Sequence, residues 1–157
     1  MKLLQTTRKV LIVPPISING ANATLINLVD LGDLGAPYSE VEITIDFGTM
    51  AADASAVIIK EHTATIASAG SSANWLTAST TVSGGTFTVA NLTAANAAGK
   101  RFVCYVPVGG TRKRYLGVLI TAGAGATLVS ASAQGVIGAV PTSATEVNAV
   151  EVLYPSA

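Results

Sequence analysis

Between Val41 and Phe47 the side chains alternate without a break. Val41, Ile43, Ile45 and Phe47 are apolar, and Glu42, Thr44 and Asp46 between them are polar. A two-residue period fits an extended strand with one dry face and one wet or interfacial face. A helix would instead repeat its apolar positions every three or four residues. A chain built around such a strand must bring a second layer over the dry face.

The material for that layer is spread along all 157 residues. β-prone runs occur at Thr24–Leu31, Ala56–Thr65, Thr80–Val82, Thr86–Val89, Phe102–Val106, Tyr115–Ile120 and Ala126–Ala133. Turn chemistry separates them: Gly32–Pro37, the small-residue loop Ala67–Asn74, Gly84-Gly85, Gly109-Gly110 and Gly123–Gly125. Leu92–Ala98 has the signals of a helical turn or two, with Thr93 as N-cap and Gly99 as stop. About eight short strands at regular spacing predict an all-β fold, a jelly-roll-like sandwich. The expected organisation is an N-terminal arm over 1–16, a β-sandwich domain over 17–137 and a C-terminal tail over 138–157. The arm carries Arg8-Lys9 and Pro14-Pro15; a proline pair resists central-strand pairing. The tail offers Val147, Val150, Val152 and Leu153 as docking side chains.

Charge is scarce. Nine basic and nine acidic residues make up 11% of the chain and cancel, against about 25% charged residues in ordinary domains. A neutral surface weakens self-repulsion and favours association. Other subunits are therefore expected to cover part of this one. The balance gives no global basicity to suggest a nucleic-acid partner. The uncharged stretch from Tyr115 to Thr145 is interrupted by Gly117, Gly123, Gly125 and Gly135, which argues against a membrane span. Met1–Lys9 lacks the apolar core of a cleaved secretory signal. The single cysteine, Cys104, sits in an alternating strand and reads as a small buried hydrophobe.

Chemistry-bearing patterns are few. His62, the one histidine, stands beside Glu61, and no serine lies in a nucleophile-elbow pattern. No catalytic residue is therefore assigned, and the expectation is that the chain is not an enzyme. Asp30 and Asp33 flank Leu31-Gly32, a pattern that fits a turn better than a calcium loop. None of the glycine pairs opens a phosphate-binding helix. No metal or cofactor is expected.

One patch remains. Phe102–Val106 and Tyr115–Ile120 are expected as the arms of a hairpin, which places Arg112-Lys113-Arg114 at its tip or on the strand after it. The triplet is either a solvated hairpin tip or an anchor onto an acidic protein surface. Arg8, Lys9, Arg112, Lys113 and Arg114 are the candidate partner contacts.

Several features resemble the small cement, or decoration, proteins of tailed bacteriophage capsids, most closely those of short-tailed phages. The resemblance spans roughly Leu28 to Val136. It rests on Asp30-Leu31-Gly32 before Pro37-Tyr38, the strand Val41–Phe47, and Ala98-Gly99-Lys100-Arg101-Phe102. It rests most on Val106-Pro107 through Gly110, followed by Arg114-Tyr115-Leu116. It implies a jelly-roll sandwich that forms a homotrimer on the outer surface of an icosahedral virion, made in the host cytoplasm. There it would clamp subunits of the major capsid protein and stabilise the shell, without cofactor, nucleic acid or membrane. A different class remains open: a receptor- or glycan-binding module of a fibre or adhesin. That reading needs exposed rings, and Trp75, Tyr38, Tyr105, Tyr115 and Tyr154 are the available ones.

Overall fold

The computed structural model describes residues 9–20, 23–34, 38–137, 140 and 143–156. Among these residues nine strands form two sheets. They are β1 (Lys9–Ile18), β2 (Ala23–Asp30), β3 (Glu40–Met50), β4 (Ala56–His62), β5 (Thr80–Thr86), β6 (Arg101–Pro107), β7 (Tyr115–Thr121), β8 (Thr127–Val136) and β9 (Glu151–Leu153). One sheet runs β1-β8-β3-β6-β9, and the other runs β2-β7-β4-β5.

The pairing explains the order. The first strand pairs antiparallel with the eighth, the second with the seventh, the third with the sixth and the fourth with the fifth. That is one long hairpin folded at β4–β5 and then rolled, so that β3 also meets β8 and β4 meets β7. The result is an all-β sandwich with the strand order of a jelly roll. β9 is an addition, parallel to β6 at the sheet edge.

The dry face of β3 is the centre of the core. Val41, Ile43, Ile45 and Phe47 are each at most 3% exposed. Facing or flanking them are Val57 and Ile59 of β4, Phe102, Cys104 and Val106 of β6, Leu116, Val118 and Ile120 of β7, and Val129, Ala131 and Ala133 of β8. Phe102 makes edge-to-face contacts with Phe47 and Phe87, at 5.6 and 5.4 Å between ring centres.

Several expectations change. The stretch expected as an arm contributes its residues 9–16 to β1. Pro14-Pro15 lies at a register shift between Val13 and Ile16. On an edge strand and at a bulge, missing amides cost the ladder little. The expected tail supplies β9, and Val150 and Leu153 pack against the core. The expected hairpin is not one. β6 is flanked by β3 and β9, and β7 by β2 and β4, so residues 108–114 cross from one sheet to the other.

The small-residue stretch expected as a loop forms two short helices, α2 (Ile66–Ala69) and α3 (Ser72–Ala78). Their N-caps account for them: Thr65 accepts from the Ser68 amide, and Ser71 from the Asn74 amide. A side chain at Gly117 would come within 2.9 Å of the Trp75 ring, so only glycine allows α3 to lie this close to β7. Two further helices are α1 (Leu31–Leu34) and α4 (Ala94–Ala97), the latter capped by Thr93 as expected. β5 continues past Gly84-Gly85, but its register against β4 shifts there, from Lys60–Thr81 to Ile58–Thr86, and the expected strand Thr86–Val89 gives way to a 3-10 turn at Val89–Asn91. No described helix is long and apolar enough to cross a membrane.

The wet face of β3 is less wet than its residue types suggest. Thr44 is buried and donates to Glu42 Oε1 at 3.1 Å. Ile43→Ala is expected to cost about 2–5 kcal/mol. Thr44→Ala should cost about 1 kcal/mol, the worth of one hydrogen bond. Urea titrations of the two variants check the difference, and equal midpoints would contradict the assigned faces.

Candidate functional site

The basic triplet lies on the β6–β7 crossing. Gly109 and Gly110 both have positive φ, +142° and +64°, and the Arg112 amide returns to Gly109 O at 3.2 Å. This turn sends the three cations in different directions.

Arg112 turns inward. On β4 the parity that buries Val57 and Ile59 also directs Glu61 between the sheets. A carboxylate there needs a cation, because a buried unpaired charge is costly. Arg112 Nη1 lies 3.2 Å from Glu61 Oε2, and the two side chains are only 7% and 13% exposed. Arg112 Nη2 donates to Ser156 O at 2.7 Å. Its Nε is buried without a hydrogen-bond partner. Arg112 is thus a clasp joining the crossing, β4 and the C-terminal segment. Neither the solvated tip nor a partner-facing anchor describes it.

Lys113 donates its amide to Glu61 Oε2 and its Nζ to Thr80 Oγ1, at 3.3 and 3.0 Å. Arg114 grips Asp30 with two bonds, Nε to Oδ1 at 2.8 Å and Nη2 to Oδ2 at 2.9 Å. Its guanidinium also lies 5.3 Å from the Tyr115 ring centre. Asp30 Oδ1 accepts from the Gly32 amide as well, at 2.8 Å, which makes Asp30 a turn residue. The Arg114 hydrogen bonds hold the Asp30 carboxyl below its ordinary pKa. Of the other candidate contacts, Lys9 opens β1 and Arg8 lies outside the described residues.

The C-terminal segment is tied at successive points. The Glu151 carboxylate accepts from the Thr88 amide and hydroxyl and from Asn91 Nδ2, at 2.8–3.1 Å. Tyr154 stacks on Tyr105, with ring centres 5.8 Å apart. Pro155 is buried beside Gly84, whose φ is +76°. Arg112 then holds Ser156 O. This segment closes the seam between β6 of one sheet and β5 of the other.

A second polar group covers the outer face of β3. Glu42 accepts from Tyr105 OH, Gln134 Nε2 and Thr44 Oγ1, at 3.0, 3.0 and 3.1 Å. Burial, and then the bond to Glu42, pushes the Tyr105 phenol above its ordinary pKa. Glu40 is treated less well. Its Oε2 is buried without a hydrogen-bond partner, and burial raises its pKa.

His62 ends β4. Its Nδ1 accepts from the Ala64 amide at 2.7 Å, and its ring lies 5.4 Å from that of Trp75. Trp75 donates its ring N–H to Ala64 O at 2.7 Å and is fully buried. Cys104 lies on the inner face of the other sheet, and burial pushes its thiol up to about 12. Among the described residues no three metal-ligating side chains come together.

The clasp and the seam were not anticipated from sequence. The inward course of Glu61 could have been read from its parity with Val57 and Ile59. Nothing local marked Ser156 or Glu151 as ends of long-range bonds. No family model matches the chain, and neither do curated proteins or solved structures.

Two outcomes follow from these environments. Arg112→Met should cost about 3 kcal/mol, because it leaves the largely buried Glu61 charge without its ion-pair partner, held by the Lys113 amide alone. Arg114→Ser, at a pair whose cation is 58% exposed, should cost far less, because solvent screens the pair. Chemical denaturation of both variants distinguishes the roles.

The carboxyls differ in sign with pH. Asp30 has a lowered pKa, so its contribution is present above about pH 4, the unfolded value, and is lost as pH falls through the folded value. Glu40 has a raised pKa, so folding favours its protonated form and its charge works against folding at neutral pH. Glu40→Gln should therefore raise the melting temperature at pH 7. The gain should shrink toward pH 4, and an unchanged melting temperature at pH 7 would contradict the raised pKa.

Proposed function

We propose that this chain is a structural virion protein. It would bind the outer surface of a tailed-phage capsid as a homotrimer and clamp neighbouring subunits of the major capsid protein. The resemblance carried by residues 28–136 is the first support. The observation that carries the reading in the structure is a charge-free flank on the sandwich. Thr63 through Gly99 contain no Asp, Glu, Lys or Arg, yet they form α2, α3, β5 and α4, much of it exposed. Covering small neutral side chains avoids the cost of desolvating charges. Such a flank suits a protein that spends its working life against other proteins.

The clamping role is multivalent. Three copies of one surface turn weak contacts into firm attachment through effective concentration. Shape would carry more of the attachment than charge, because Arg112 is used inside the fold. Arg114, bound to Asp30 but largely exposed, is the candidate contact best placed to meet a partner. The glycan-binding alternative loses its best ring, since Trp75 is buried beneath α3's contact with β7.

The test adds purified protein to capsids that lack it. Saturable occupancy, at a copy number divisible by three, with delayed thermal rupture of the shell is the expected result. Absence of binding at micromolar concentration would overturn the reading.

A further inference from the structure

The C-terminal strand is held by a groove, and the groove's contacts do not depend on which copy of the chain supplies the strand. β9 adds to the free edge of β6, with Val103 opposite Val152. Glu151 docks on Thr88 and Asn91, Tyr154 on Tyr105, Pro155 beside Gly84, and Ser156 O on Arg112. All of these partners belong to the sandwich proper.

The connection to that strand is longer than the distance it must cover. β8 ends at Val136, level with Pro107 of β6 through their common partner Glu40. β9 begins at Glu151, level with Phe102. That displacement is five residues along the strands and three strand spacings across, about 22 Å. The linker, residues 137–150, can span about 45 Å when extended, twice what its own groove requires. Among the described linker residues, the Asn148 and Ala149 amides bond within the linker, to Thr145 O and Ala144 O. The Val150 amide reaches the sandwich at Arg101 O, and the Val150 side chain packs against the core. Asn148 has φ +50° and ends the 3-10 turn Thr145–Val147, three residues before β9 begins.

We propose that in the assembled protein the groove between β5 and β6 takes the C-terminal strand of a second copy of this chain. This deepens the trimer reading and rests on it. Exchange forfeits no groove contact, because each strand leaves one groove and enters an identical one. It gives a charge-poor protein a way to join its copies without ion pairs. Passed from copy to copy around a ring, the exchange closes on itself.

The test places cysteines at positions 88 and 151, Thr88→Cys/Glu151→Cys, whose native side chains touch. Cys104 stays in place, since it is buried and its thiol is held protonated. The assembled protein is treated with a short bis-maleimide, then denatured and weighed by mass spectrometry. A second variant keeps Glu151 and carries the photo-crosslinker benzoylphenylalanine in place of Tyr154, against Tyr105. Native mass is measured for both.

Covalently joined copies as the main product in either variant are expected. Bridges confined to single chains, in a protein that is a trimer by native mass, would overturn the exchange and leave the trimer standing. A monomer would overturn both. Bridges of neither kind in either variant would show that the groove does not hold the strand, and would also overturn the exchange.

Discussion

The dry face of β3 is the constraint on which the rest of the sandwich depends. β3 is central in its sheet, between β6 and β8, and its four apolar side chains are almost fully buried. They must be covered by the opposite sheet, and the rolled hairpin is how one chain supplies it. With three phenylalanines in the whole sequence, the core is made mainly of aliphatic side chains, joined by the Phe47–Phe102–Phe87 edge-to-face series. Each strand that contributes to that core also fixes its neighbour's parity, because a one-residue slip would turn the apolar set outward.

Parity also explains the placement of charge. Glu61 follows Val57 and Ile59 inward and would be a burden without Arg112. Once Arg112 is committed there, its second nitrogen holds Ser156 O, and the C-terminal segment becomes part of the sandwich. The three adjacent cations therefore do three different jobs. Arg112 closes an internal gap, Lys113 bridges Glu61 and Thr80, and Arg114 fixes the start of α1 through Asp30. The sequence presents them as one patch, whereas the crossing between sheets separates them.

What could be read from sequence was local and periodic. The alternation of Val41–Phe47 named its strand and its inner face, and the Thr93 cap named a helical turn. The all-β class followed from the strand spacing. Long-range topology was harder. Phe102–Val106 and Tyr115–Ile120 look like a hairpin because they are close in sequence and separated by Gly109-Gly110. Their true neighbours are β3, β9, β2 and β4, chosen by sheet closure. The helices over 66–78 were missed because Thr65 and Ser71, the caps, are indistinguishable by type from the serines and threonines around them. Trp75 gave no sign that Gly117, far along the chain, would receive it. The candidate site was legible as a charge cluster but not as a clasp.

The two outer edges of the larger sheet have consequences for solubility. At one edge, Pro14-Pro15 removes two consecutive amides and coincides with a register shift in β1. At the other, β9 has only three residues and is followed by Pro155. Neither edge offers a long, flat row of donors and acceptors for another sheet to extend. A chain with so little surface charge has little repulsion to keep its copies apart, and exposed strand edges would then invite open-ended stacking into fibres. Backbone geometry at this sheet thus supplies protection that charge supplies elsewhere, and it lets copies crowd together without extending the larger sheet from one to the next.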